Sequence, residues 1–115
     1  MEYVPTDLFA ILADTTRLRC LMLLKQAPSL CVCHLVDVLE EPQPKLSKHL
    51  GVLREMGLVA DERKAQWVHY SLKTDLPDWV AAILDAAITG AKKQQPYLDD
   101  AKRLAQRLAS RQKAA

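Results

Sequence analysis

Apolar residues recur along this chain in short runs at helical spacing, separated by breaks marked with proline or acidic residues. LFAILA, residues 8–13, predicts a short first helix capped by Thr6. TTRLRCLMLLKQ, with Asp14 as its cap, predicts a second helix that Pro28 and Ser29 close off. A third, VCHLVDVL, breaks at Glu40, Glu41 and Pro42, and QPKLSKHLGVLREM makes a fourth, with Pro44 in its first turn and Gly57 as the stop. The period then changes from 3.6 to 2. LVADERK and WVHYSL, joined around Ala65 and Gln66, read as a β-hairpin in which Val68, Tyr70 and Leu72 alternate with Trp67, His69 and Ser71. Thr74 or Asp75 caps a fifth helix with an apolar stripe through Val80, Ile83, Leu84, Ala87 and Ile88, which Gly90 interrupts or ends. Beyond Pro96 the chain has helical propensity but few large apolar residues.

Three helices, a turn, a fourth helix, a hairpin and a further helix make a mainly α, winged helix-turn-helix fold, in which the fourth helix reads the major groove of double-stranded DNA. Leu46, Leu50 and Leu53 share one face of that helix and point to the core. Lys45, Lys48 and the small Gly51 lie opposite, with Ser47 and His49 on the flanks, so the outer face offers positive charge, hydrogen-bond donors and little bulk. Gln43 at the helix start, with Arg63 and Lys64 near the wing tip, completes the candidate DNA contacts. The competing reading of the lysines is a solvated helix face, and of Arg63 and Lys64 a charged hairpin tip. Trp67 and Trp79 are assigned to packing.

Composition narrows the function. The chain has 115 residues, 50% of them hydrophobic, which suits one winged domain over residues 1–92 and a tail over 93–115 that is helical or partly disordered. Net charge is only +2, but the tail holds the excess: from Lys92 onward there are 7 Lys/Arg against 2 Asp. No apolar run approaches the ~20 residues that cross a bilayer, so no membrane partner is expected. MEYVPTDLF lacks the basic start and long apolar run of a secretory signal, which predicts a cytoplasmic protein. Nothing pairs a nucleophile with a base or cradles a phosphate on a glycine loop, so no enzyme and no organic cofactor is expected. Three cysteines, an odd number without an export signal, predict reduced thiols available to soft ions or oxidants.

Two of those thiols, Cys31 and Cys33, stand one residue apart at the start of the third helix. Side chains two apart in a regular helix point roughly 200° from each other. Either the pair is no site, or the helix begins inside it.

ADTTRLRCLMLL, QPKLSKHLGVLREMGLV and WVHYSL, in this order and spacing, resemble the second helix, recognition helix and second wing strand of the ArsR/SmtB family of winged-helix repressors, over roughly residues 5–90. The resemblance implies a homodimer, packed through its first and last helices, that binds operator DNA and leaves it when a metal or metalloid binds. CVCHL is similar to the motif of the arsenic-sensing ArsR branch and implies that Cys31 and Cys33 bind As(III), Sb(III) or methylarsenite as the inducer. With Cys31 as N-cap, its sulfur turns back toward Cys33 at the positive end of the helix dipole, where thiolate is favoured. This sequence departs from the branch at Val36, where relatives often carry a third cysteine, and at Pro42, where relatives often carry a capping serine. Cys20, and less so His34, are candidates for a third ligand. Against them stand a core slot for Cys20 and a polar first-turn role for His34. Zn(II) sensing at the last helix is disfavoured, since Trp79–Lys93 contains no histidine. The competing signal is oxidation or persulfide at the same cysteines, and the competing class is a protein-interaction module that binds no DNA.

Overall fold

The structure, a computed structural model, describes residues 2–114. Its organising element is α2, Thr15–Gln26, which begins where the Asp14 carboxylate accepts the Arg17 backbone N–H at 3.0 Å. Burial works against ionisation of Asp14, but that N–H together with the His49 and Arg17 charges outweighs it and holds the carboxyl below its ordinary value. Cys20, Leu21 and Leu23 of α2 are wholly enclosed by its neighbours. The helix α1, Pro5–Leu12, precedes it. Val4 is its N-cap and Pro5 fills the first position, so Thr6 lies inside the helix and does not cap it as expected; a proline's fixed φ and missing N–H suit that position.

α3, Val32–Leu39, and α4, Gln43–Glu55, form the helix-turn-helix. Glu40 takes the left-handed conformation, φ 56° and ψ 42°, and ends α3, while Pro42 in extended conformation opens α4 without a side-chain cap. Gly57 closes α4. At φ 73° its N–H reaches Arg54 O (2.9 Å) and the N–H of Leu58 reaches Leu53 O (3.0 Å), the paired bonds of a Schellman stop, with Leu53 and Leu58 both buried beneath it. Leu46, Leu50 and Leu53 face the core as their spacing predicts.

The hairpin is present as β2, Val59–Lys64, and β3, Trp67–Leu72, paired from Val59 opposite Leu72 to Lys64 opposite Trp67. A further strand, β1, Leu30–Cys31, adds antiparallel to the free edge of β3, giving the order β1-β3-β2. Two residues are too few to leave a periodic trace. The helix α5, Asp78–Ala91, starts after Pro77 as N-cap rather than at Thr74 or Asp75, and it runs through Gly90 without interruption. Proline's extended φ/ψ holds the residues before it out of the helix.

The last helix, α6, Tyr97–Ala114, returns against α2 and α3. Leu104 is buried at the contact, Tyr97, Ala101 and Leu108 pack partly buried against the core, and a set of polar ties adds to them. Arg19 of α2 donates through Nε and Nη2 to both oxygens of Asp100 (2.7 and 2.9 Å), and through Nη2 also to Leu39 O (3.0 Å). Arg103 donates to Val38 O at 2.8 Å, and Arg107 to Asp37 at 2.6 Å. No helix among the described residues is long and apolar enough to cross a membrane.

Asp100 is wholly buried and Arg19 nearly so, so removing either partner strands a charge in the interior. Asp100→Ala is expected to cost about 3–5 kcal/mol, read as a lowered urea midpoint. Asp37→Ala, at the exposed pair with Arg107, is expected to move that midpoint far less.

Candidate metal centre and nucleic-acid interface

The pairing of β1 with β3 answers the spacing problem at Cys31 and Cys33. Opposite His69, Cys31 is held extended at φ −64° and ψ 147°, and it is at once the last strand residue and the N-cap of α3. Its Sγ accepts the Cys33 backbone N–H at 3.2 Å. The helix therefore begins inside the pair. The Cα atoms are 5.2 Å apart and the sulfurs are in direct contact as a Cys31–Cys33 bridge, where the sequence predicted separate reduced thiols. Reduced, the same backbone presents two thiols side by side at the positive end of the α3 dipole, where negative sulfur is favoured. Two adjacent thiolates are a donor set that fits a soft, thiophilic ion.

The expected third donors do not join them. Cys20 lies in the core on α2 with no exposed surface, and burial pushes its thiol up to about 12. His34, in the first turn of α3, is half-buried, and its Nδ1 is buried with no hydrogen-bond partner. Burial first, then the nearby Arg111 and His69 charges, hold its imidazole below the ordinary value against the pull of Asp37. Among the described residues no group of three or more His, Cys, Asp or Glu could hold a metal ion. The residue that sequence reasoning passed over is His69. Its alternation marks it only as a wing-strand position, and it lies opposite Cys31 because of a strand too short to leave a period.

On α4, Gln43, Ser47 and Lys48 are exposed, and Lys45 is exposed with its ammonium 3.0 Å from Glu41. His49 turns toward α2, with Nδ1 3.3 Å from Arg17 Nη1 and 3.9 Å from Asp14. Arg54 pairs with Asp61 at 2.9 Å and fixes α4 against the wing. Arg63 and Lys64 are exposed beside the two-residue turn, where Ala65 takes φ 56°.

An exposed, basic second helix beside a charged wing defines a DNA-binding regulator of the winged-helix class. Residues 14–61 match the family model described as bacterial regulatory protein, arsR family. The chain is 49% identical over 84 residues to a protein of Escherichia coli K12 named arsenical resistance operon repressor, covering 73% of this chain and 72% of that one. It is 44% identical over 102 residues, 89% of this chain and 78% of the relative, to the arsenic resistance transcriptional regulator ArsR1 of Pseudomonas putida. The crystal structure of the AntR antimony-specific transcriptional repressor superposes with a TM-score of 0.61 at 27% identity, over 77% of this chain and 80% of that one. The chain belongs to the ArsR/SmtB family, whose members are transcriptional regulators and not enzymes.

With its thiol pushed up to about 12, Cys20 carries thiolate in roughly one molecule in ten thousand at pH 8. Brief alkylation of the reduced native protein at that pH is expected to leave Cys20 unmodified while Cys33 reacts, and denaturant is expected to release Cys20 to label fully. Peptide mass mapping checks both.

Proposed function

We propose that the chain is a homodimeric repressor that binds operator DNA through α4 and the wing and releases it when a trivalent arsenical or antimonite binds Cys31 and Cys33. The observation that carries this reading is Cys31 standing as the N-cap of α3 with its sulfur against Cys33. The names of the relatives, arsenical resistance repressors, and of the structural neighbour, an antimony-specific repressor, support the choice of ion. With arsenite, each thiol gives up its proton and two hydroxides leave arsenic as water, so two As–S bonds replace two As–O bonds. The third position stays with a group the ion brings, because among the described residues no third His, Cys, Asp or Glu groups with the pair.

Release follows from how α3 is held. Its N-terminus is the cysteine pair, and its C-terminus passes to α4 through only Glu40, Glu41 and Pro42. Arg19 donates to Leu39 O and, at 3.4 Å, to Glu41, so the end of α3 and the turn share one anchor. Cys31 and Cys33 reset the first turn of α3 when they close on the ion, and α4 moves with it. In a dimer that shift breaks the fit of two recognition helices to half-sites one helical turn apart. Couplings of this kind are typically about 1–3 kcal/mol. Dimerisation is supported by the apolar cleft between α1 and α5, where Phe9, Leu12, Ile83 and Ala87 meet and Phe9 is 55% exposed.

A second reading is favoured by the sulfur–sulfur contact. An oxidant such as peroxide takes two electrons and two protons from the thiols, forms the bridge and triggers the same shift.

Fluorescence anisotropy on promoter DNA separates the two. Arsenite or methylarsenite is expected to release the wild type, with both Cys31→Ser and Cys33→Ser retaining DNA and losing the response; Zn(II) is expected to leave all three bound. Release by peroxide with indifference to arsenicals would replace the first reading by the second. In the same assay Lys48→Ala is expected to lower the slope of log affinity against log salt by about 1, the signature of one lost phosphate contact.

A further inference from the structure

On the flank of α4, away from its leucine face, His49 projects toward the start of α2 with its side chain only 17% exposed. Its Nδ1 is 3.3 Å from Arg17 Nη1 and 3.9 Å from the Asp14 carboxylate. The longer separation is beyond a hydrogen bond, so Arg17 is the partner. A guanidinium carries donors only, so Nδ1 accepts, and the proton of the neutral ring is on Nε2. The same guanidinium donates through Nε to Ile11 O at 2.8 Å and through Nη2 to Ala10 O at 3.3 Å. Those carbonyls belong to the last turn of α1, where the helix has no N–H left to offer them. One side chain of α2 therefore holds the end of α1 and the middle of α4 together.

We propose that Arg17 and His49 are a positioning pair for DNA binding: they fix how far α4 is rolled about its own axis, and so which side chains it presents to the bases. This rests on the operator-binding reading above, and it gives His49 a part in that reading other than contact with base or phosphate. Leu46, Leu50 and Leu53 hold α4 in the core, but apolar attraction is not directional. A hydrogen bond from a charged donor is directional, and roughly twice as strong as a neutral one. Lys48 stands about 100° around the helix from His49, so a roll that frees His49 swings Lys48 and Ser47 with it. Attraction to phosphates acts over a distance and tolerates that roll, whereas hydrogen bonds to base edges do not. Through Arg17 the pair also ties the recognition helix to α1, whose Phe9 lines the apolar cleft with α5.

The test compares affinity for the promoter fragment with affinity for a scrambled duplex of equal length, by fluorescence anisotropy on the full-length reduced protein. His49→Leu and Arg17→Met are each expected to lower promoter affinity about tenfold, as loss of one charge-assisted hydrogen bond does, with affinity for the scrambled duplex unchanged. The double variant is expected to lose no more than the larger single loss. His49→Asn, whose amide oxygen stands where Nδ1 does, is expected to recover most of what His49→Leu loses. His49→Gln, whose amide reaches the Nε2 position instead, is expected not to. Recovery by Gln and not by Asn would mark a direct contact with DNA through Nε2 and overturn the proposal. Additive losses, or equal losses on both duplexes, would overturn it as well. The histidine series leaves the bonds to α1 intact and keeps the proposal testable if Arg17→Met fails to fold. Proton–nitrogen correlation spectra in mildly alkaline buffer are expected to place the His49 proton on Nε2, and a proton on Nδ1 would sink the pairing. A wild type without preference for its promoter would overturn the operator-binding reading and this one together, whereas preference retained in full by His49→Leu would overturn this one alone.

Discussion

The structure depends on one buried ion pair. Asp100 has no solvent-exposed surface, and its two oxygens are both taken by Arg19, with a further bond to one of them from Arg103. A carboxylate so placed is tolerable only because its charge is matched and its lone pairs are filled. The same guanidinium bonds the last carbonyl of α3 and reaches Glu41 in the turn. Three segments that are distant in sequence, α2, α6 and the α3–α4 corner, thus meet at one side chain. Apolar packing supplies most of the free energy of folding in a domain of this size, but it is not directional. Bidentate geometry is directional, and it sets how far α6 sits along α2.

That division of labour explains what could be read from the sequence. Elements whose boundaries are written in local chemistry came through: the Asp14 cap of α2, the span of α3 from Val32 to Leu39, the leucine face of α4, the glycine stop at Gly57 and the hairpin. Elements whose boundaries hang on proline shifted by a few residues. Pro5 and Pro77 displaced the caps expected at Thr6 and at Thr74 or Asp75, because a proline beside a helix start fixes the backbone more firmly than a nearby hydroxyl or carboxylate attracts it. The docking of α6 left little hydrophobic signal, since Leu104 is its one buried leucine, Tyr97, Ala101 and Leu108 are only partly buried, and arginines supply much of the rest.

The site was legible to the same degree. An N-cap at Cys31 follows from asking how two residues of opposite helical facing could cooperate, and the backbone adopts that geometry. Cys20 is a candidate third donor as the remaining sulfur and His34 as the neighbouring nitrogen; burial, which the sequence does not contain, encloses Cys20 in the core and His34 Nδ1 beneath its neighbours. His69 shows the reverse case, a residue with the right chemistry whose position was hidden in a two-residue strand.

That strand couples two surfaces that otherwise look independent. The middle strand β3 carries β1, and with it Cys31, on one edge, and on the other β2 with the charged hairpin tip. His69 is the rung common to both edges, paired with Cys31 on one side and Glu62 on the other. A hydrogen-bonded ladder slips as a unit or not at all, because a displacement of one residue would turn every side chain to the opposite face. Any rearrangement at the first turn of α3 must therefore either be absorbed within two residues or be felt by the wing, so that the Cys31–Cys33 pair and the charged hairpin tip share a single lever.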